Sequence, residues 1–365
     1  MPPPSQTQIH LNPPASAFHY QPPSPTPPFP ISLLHSLLPS PSPTPLRPLP
    51  TVAAALNLPH VLLKDESRRF TLPSFKILGA SWAVFRAVAD RVGVGGVRVM
   101  TCSEGNWGRA VAFMGRLLGV GVVVYVPGYM SEETRGRIRG EGAEVRVVEG
   151  WYEDAVAAAR EAVEGNGSVL VMDVGWEGYE EVPKWVVEGY QTMLDETDAQ
   201  VLSITGGKPA THAVVPVGCG SIAQAVVQHY KNGAKEQGAN SATTVLSVEP
   251  DTAACLKASL EAGKMTSVPT QDSIMCGMNC GALSTTAWPV LERGIDGAVM
   301  VTDGESHQAV LELQELGVTA GPCGAATLAA LKKACALKRD RLGLDDQSVV
   351  VLFCTEGPRE YASRP

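Results

Sequence analysis

From about residue 60 onward the chain alternates short β-branched runs with stretches patterned as helices, and this alternation constrains the fold more than any other feature. Candidate strands lie at 61–64, 97–102, 121–126, 145–148, 169–173, 213–217, 245–249 and 348–354. Helical patterns at 74–89, 107–118, 152–162 and 320–337 fall among them. Strands that are apolar on both faces and separated by helices predict an α/β fold in which parallel sheets are covered by helices on each side. A length of 365 residues suffices for two such domains, and no internal repeat is visible. Ligands in this architecture bind at the carboxyl ends of strands, where several Gly-rich turns fall.

The amino-terminal stretch reads differently. Residues 1–50 hold 17 of the 29 prolines, and no Lys, Arg, Asp or Glu precedes Arg47. Such a segment buries too little apolar surface to offset its chain entropy, which predicts a disordered, Pro-rich tail over 1–40 with order beginning near 43–46. The tail is either inert or a ligand for proline-binding modules. It lacks the basic start and apolar core of a secretory signal and the arginines of a mitochondrial presequence, so a cytoplasmic location is expected.

A net charge of −8 and a pI near 5.5 argue against nucleic-acid or anionic-membrane partners. Arg135, Arg137 and Arg139 have the spacing of a solvated helix face. The longest apolar run, 117–127, is short of the roughly 20 residues that span a bilayer. Eight cysteines are scattered without a second Cys pair or paired histidines, which predicts a reduced protein without a metal site.

Five segments carry candidate chemistry. In Pro73-Ser74-Phe75-Lys76-Ile77-Leu78-Gly79-Ala80, apolar neighbours turn the lysine inward, and a desolvated lysine loses charge readily and can form a Schiff base. Thr101-Cys102-Ser103-Glu104-Gly105-Asn106-Trp107-Gly108 joins a strand to a helix. Its amides can bind an anion, Glu104 can move protons and Asn106 can bond a ring hydroxyl. Equally, Ser103 can simply cap the helix, and the residues alone leave both readings open. Pro216-Val217-Gly218-Cys219-Gly220-Ser221-Ile222 has the form of an amide nest for phosphate. Without the lysine of a P-loop, or the third glycine and acidic partner of a dinucleotide site, it suits a single phosphate monoester. Asp173 ends a buried strand, where an acid is costly unless it is paired, catalytic or capping. Finally, Cys354-Thr355-Glu356-Gly357 closes the last strand and can set a thiol or hydroxyl against a heterocyclic nitrogen.

Taken in this order and at these separations, the five segments resemble fold-type II pyridoxal-phosphate enzymes, the tryptophan synthase β-like group that includes threonine and serine dehydratases. Diaminopropionate ammonia-lyases are the members it resembles most. That likeness rests on Lys64-Asp65-Glu66-Ser67, Phe75-Lys76, Glu104-Gly105-Asn106, Val248-Glu249-Pro250-Asp251 and a specific stretch, Trp176-Glu177-Gly178-Tyr179 through Pro183, Trp185, Gly189 and Tyr190. The resemblance spans about 43–357. It implies two three-layer domains: a large cofactor-binding domain over 41–90 plus 196–365, and a small one over 91–195 that closes over the substrate.

Residue by residue, it implies that Lys76 bears pyridoxal 5'-phosphate in a Schiff base. Gly218, Cys219, Gly220 and Ser221 would hold the phosphate, Asn106 the pyridine hydroxyl, and Cys354 or Thr355 the pyridine nitrogen. Glu104 and Asp173 would be alternative bases for the two enantiomers of a small amino-acid substrate. Ser103, Glu104, Gly105 and Tyr179 would contact that substrate. A homodimer, and a disulfide between Cys255 and Cys280, also belong to what the family implies. Glu104 departs from the family's aspartate and Trp107 from its histidine. The stretch after Thr302 is shorter, and Ala320-Gly321-Pro322-Cys323-Gly324-Ala325 reads more like a dehydratase. The expectation is elimination of ammonia from 2,3-diaminopropionate to give pyruvate. The alternatives are β-elimination or β-replacement on serine, threonine or a relative, and a silent cofactor-binding protein.

Overall fold

The computed structural model describes residues 8–21, 29–89, 96–163, 167–232 and 243–361. Its strands are β1 (Ile9–Leu11), β2 (Leu46–Pro48), β3 (His60–Asp65), β4 (Arg98–Cys102), β5 (Gly121–Pro127), β6 (Glu144–Val148), β7 (Val169–Leu170), β8 (His212–Pro216), β9 (Thr244–Pro250), β10 (Gly297–Val301) and β11 (Val349–Cys354). The chain divides into two compact units. The first comprises 1–26, 43–68 and 193–365; the second comprises 27–42 and 69–192. Lys76 and its helix therefore group with the smaller unit, whereas the sequence reading placed them with the larger.

The first unit holds a seven-stranded sheet ordered β1-β10-β9-β8-β11-β3-β2. Its five inner strands run parallel; β1 and β2 add antiparallel edges. Val349, Val350, Val351, Leu352 and Phe353 of β11 are all buried. A strand apolar on both faces needs cover on both sides. One face packs beneath the Pro322–Lys338 helix through Ala325, Ala326, Leu328, Ala330 and Leu331, small and branched residues that let the helix lie close to the sheet.

In the second unit a four-stranded sheet, β6-β5-β4-β7, is wholly parallel. Met100, Cys102, Val123 and Tyr125 point to one face and pack on Ala155 and Ala159 of the Tyr152–Glu161 helix. Alternation sends Val122 and Val124 to the other face. There the Asn106–Leu118 helix approaches so closely that a Cβ on Gly108 would sit 3.0 Å from Val124, and one on Gly115 would collide with Val122. Helix, sheet and helix make the three layers expected.

Two expectations change. Asp173 does not end a strand, because β7 stops at Leu170. Part of the Pro-rich segment is structured. Ile9–Leu11 pairs with Gly297–Val299, residues 13–17 form a 3-10 helix, and Ile31–Ser36 is a helix that buries Leu34 and His35. Composition misleads here because several apolar side chains of the segment find cover, Ile9, Ala15, Phe18, Leu34 and Leu38 being buried while Leu33 and Leu37 stay exposed. The rest of that expectation, 1–7 and 22–28, lies outside the described residues.

Candidate active site

In the second unit Lys76 opens the Lys76–Val88 helix. A two-residue turn precedes it, in which Arg69 and Leu72 exchange backbone hydrogen bonds of 2.8 Å while Phe70 and Thr71 adopt φ of 47° and 75°. Every residue from Ile77 to Val84 is buried, so the first two turns of the helix are enclosed on all sides. The Glu181–Gly189 helix crosses it at two glycines. A Cβ on Gly79 would lie 2.7 Å from Val186, and one on Gly189 would strike the Leu78 carbonyl. The Lys76 ammonium pairs with the Asp173 carboxylate. It sits 5.5 Å from the Phe75 ring centroid and 5.9 Å from that of Trp107. The amine is half-buried beside two aromatic rings and has a carboxylate at hand to take its proton, as a lysine that forms a Schiff base needs.

The loop after β4 turns out to be partly structural. Ser103 is buried, and its hydroxyl accepts from the Gly105 and Gly108 amides at 3.0 and 2.8 Å, so it caps the Asn106–Leu118 helix. Glu104 is exposed and accepts a hydrogen bond from the Tyr129 hydroxyl. Burial and the Glu104 charge raise the Tyr129 pKa, which keeps the phenol protonated as that donor. Tyr129 was not foreseen from the sequence. Its one signal is position, an aromatic two residues past β5 at the ligand-binding end of the sheet. Trp107 is the residue at which the resemblance would have histidine. Its indole donates to Thr101 Oγ1 at 2.9 Å, so the ring is anchored as a wall beside Lys76. Asn106 takes the first position of its helix, beside Gly105.

Asp173 is held by the segment behind it. The Tyr179 hydroxyl donates to the Leu170 carbonyl at 2.8 Å and accepts from the Met172 amide at 3.1 Å, while its ring stacks on Trp176 at 4.4 Å. Arg160 lies over the outer face of Trp176, 4.9 Å from its centroid. Burial raises the Tyr179 pKa, so this phenol too stays protonated. Tyr179 thus grips the backbone on either side of Val171 and orients the approach to Asp173. The hydroxyl that the sequence reading set toward the substrate has these two backbone partners.

In the first unit β8 leads into Gly218-Cys219-Gly220-Ser221, and Ser221 begins the Ser221–Tyr230 helix. The first amides of a helix have no intrahelical acceptor, so they face the turn as donors. Gly220 has φ of 94°, and a Cβ there would lie 2.9 Å from Leu291 and 3.0 Å from Ala287. Gly218 backs onto the Gly277 carbonyl, 3.0 Å from where its Cβ would be. Close packing behind the loop thus requires glycine at both places, and the turn's amides are left bare of side chains there, which fits a phosphate. Cys354 ends β11 and is buried; a Cβ on Gly324 would lie 2.7 Å from its sulfur and 3.1 Å from the Thr355 amide. Burial raises the Cys354 pKa far above that of a free thiol, so it stays neutral, and it donates to the Glu356 carbonyl at 3.7 Å. Cys255 and Cys280 flank Gly218 but form no disulfide, contrary to the bridge that the resemblance implied. Among the described residues no cluster of metal-ligating side chains occurs.

Comparisons with known proteins agree with this chemistry. The family model "Pyridoxal-phosphate dependent enzyme" matches residues 37–355. A diaminopropionate ammonia-lyase of Salmonella typhimurium is 33% identical over 284 residues, covering 72% of this chain and 69% of the relative. One from Escherichia coli is 28% identical over 344 residues, covering 86% of this chain and 84% of the relative. The solved structure of the Escherichia coli lyase in complex with an aminoacrylate–PLP azomethine reaction intermediate superposes with a TM-score of 0.79 and 28% identity, covering 90% of this chain and 87% of that one.

Proposed function

The chain belongs to the pyridoxal-phosphate-dependent enzyme family, and from that premise we propose that it eliminates ammonia from 2,3-diaminopropionate, giving pyruvate and ammonia. The observation that carries this reading is the Lys76 amine set against the Asp173 carboxylate between two aromatic rings, in a chain whose relatives are such lyases.

Bound at Lys76, the cofactor would supply an electron sink for the carbanion formed when the substrate loses its α-proton. The chain's own groups do the rest. Gly218 to Ser221 would hold the phosphate with amides, Cys354 or Thr355 would meet the pyridine nitrogen, and Asn106 the ring hydroxyl. Asp173 accepts the α-proton, or relays it through Lys76, its partner. Glu104, steadied by Tyr129, is the acid available on the loop that opens the Asn106–Leu118 helix. Loss of the β-amine as ammonia leaves 2-aminoacrylate, which water converts to pyruvate and a second ammonia after release.

The test is pyruvate release from D- and L-diaminopropionate beside serine and threonine. Turnover of a diamino acid is expected, and failure with both isomers would end the lyase reading. The second reading, a dehydratase-like enzyme, draws on the segment Ala320 to Ala325 and would then be shown by preference for a hydroxyl leaving group. Asp173→Asn should lower kcat by about 10²–10⁴-fold, the usual weight of general-base assistance. Retention of full activity would remove Asp173 from the proton path.

We further infer a homodimer in the cytoplasm. Its support is the family resemblance, eight cysteines without a disulfide, and the finding that no helix among the described residues is long and apolar enough to cross a membrane. A sedimentation mass of one chain would remove the dimer.

A further inference from the structure

The Pro-rich segment carries a histidine whose surroundings point at the lysine. His35 is almost fully buried at the end of the Ile31–Ser36 helix. Its Nε2 lies 2.9 Å from Ser81 Oγ and 3.2 Å from the Leu78 carbonyl; its Nδ1 lies 2.7 Å from Thr192 Oγ1. A carbonyl can only accept, so Nε2 carries the proton and Nδ1 accepts from the Thr192 hydroxyl. Leu78 and Ser81 belong to the first turns of the helix that Lys76 opens. The imidazole also lies 5.7 Å from the ring of Phe70, in the turn just before that helix.

That turn is strained. Phe70 and Thr71 both have positive φ without being glycine. Such conformations cost roughly 1–3 kcal/mol each and persist only where the surroundings over-determine them. The turn therefore needs something to hold it, and only residues 72–75 separate it from Lys76 at the start of the helix. His35 touches both sides of this junction, the ring of Phe70 before Lys76 and the carbonyl of Leu78 after it. Phe29 adds a second contact on the same helix, 5.9 Å from the ring of Phe85.

We propose that His35 is a positioning residue: with the Pro-rich segment as a strap, it clamps the strained turn and the first turns of the lysine helix, fixing the direction in which the Lys76 amine leaves the backbone. The inference rests on the reading that Lys76 carries the cofactor. It does not depend on which amino acid is consumed.

The experiment uses the cofactor-loaded full chain without substrate. The visible absorption band of the lysine-bound cofactor, and the pH midpoint of that band, are compared in wild type, His35→Ala, His35→Gln and Ser81→Ala. Glutamine can place an N–H near the position of Nε2. His35→Ala is expected to shift the midpoint by about 0.5 pH unit or more, and to lower kcat by about tenfold to a hundredfold with a smaller change in KM, as misplacing a catalytic group by up to an ångström does. His35→Gln should restore both to within about threefold of wild type, and Ser81→Ala should show a partial shift of the same sign. An unmoved midpoint in every variant that binds cofactor, or a folded His35→Gln that behaves like His35→Ala, would overturn the proposal. If His35→Ala fails to fold, Ser81→Ala and His35→Gln decide it alone. Lys76→Ala is the control: a band that survives it defeats the lysine assignment, and the proposal falls with it, whereas an unmoved midpoint with that control intact overturns the strap alone.

Discussion

Single side chains in this protein are tuned mainly by burial. His35 shows it most directly, because burial pushes its pKa down to about 4, opposed by the Leu78 carbonyl and aided by the Arg69 charge. The unfolded chain, with an ordinary histidine near 6.5, binds more protons between those two values than the folded one does. Stability therefore rises with pH across that window, and is lost as pH falls from about 6.5 toward 4. A difference of this size is worth at most about 3 kcal/mol below pH 4. His35→Gln should flatten that part of the stability–pH curve, as chemical denaturation at pH 4.5 and 7.5 would show. An unchanged slope would mean that the imidazole is solvated in the folded state. Lys76 and its partner illustrate what the sequence could and could not tell. An inward lysine was legible from its apolar neighbours, but the pairing with Asp173 joins residues 97 positions apart, and no local pattern encodes it.

At the scale of elements the strongest periodic signals were the most faithful. Expected strands at 121–126 and 348–354 match β5 and β11 within a residue, because both are continuous β-branched runs. Three strands were not foreseen. β2 contains Pro48 and lies at a sheet edge, the place where proline is tolerated and where composition argues against a strand. β1 sits inside a Pro-rich stretch, and β10 is a five-residue run close behind a helix. The loops bear the same lesson in reverse. Glycines 218 and 220 do stand in a tight strand-to-helix turn, as the pattern led one to expect, with a positive φ at Gly220. The backbone bonds of the Tyr179 hydroxyl were not foreseen, since nothing in the sequence says that it folds back on residues 170 and 172. Two expectations follow for these elements. Gly220→Ala imposes a side chain on a positive φ between Leu291 and Ala287, and should weaken cofactor binding by at least about tenfold in an absorbance titration. Unchanged affinity would remove the phosphate from this loop. Tyr179→Phe removes one buried hydroxyl that both donates and accepts, at a cost of about 1–3 kcal/mol. It should lower kcat through Asp173 while leaving cofactor affinity unaffected. Combined with Asp173→Asn it should add little further loss, because positioning an absent base has no value.

Across the whole molecule the amino-terminal segment belongs to both units, residues 8–21 to the first and 29–42 to the second. In the first unit β1 covers the open edge of the seven-stranded sheet, pairing Ile9, His10 and Leu11 with Val299, Ala298 and Gly297. An uncovered edge presents a row of unpaired amides and carbonyls that other chains can join. Behind β1, Phe18 packs against Gly294 and beneath the Arg293 guanidinium, 4.6 Å from its ring centroid. Asn12 ties the same stretch to the carbonyls of Glu292 and Ile295 at 2.8 and 2.9 Å. Burial of Ile9 and Phe18 contributes about 1.5–3 kcal/mol each. Removing residues 1–21 should therefore lower stability by several kcal/mol, a fall in Tm of about 5–10 °C for a chain of this size. Light scattering should rise at the same time, as β10 becomes an edge. Ile9→Asp in the intact chain should reproduce the scattering with a smaller fall in Tm, because the backbone ladder is still available. If the shortened chain melts where the full chain does and stays monodisperse, the Pro-rich segment covers nothing that matters to the sheet, and only its second half, where His35 sits, would retain a structural role.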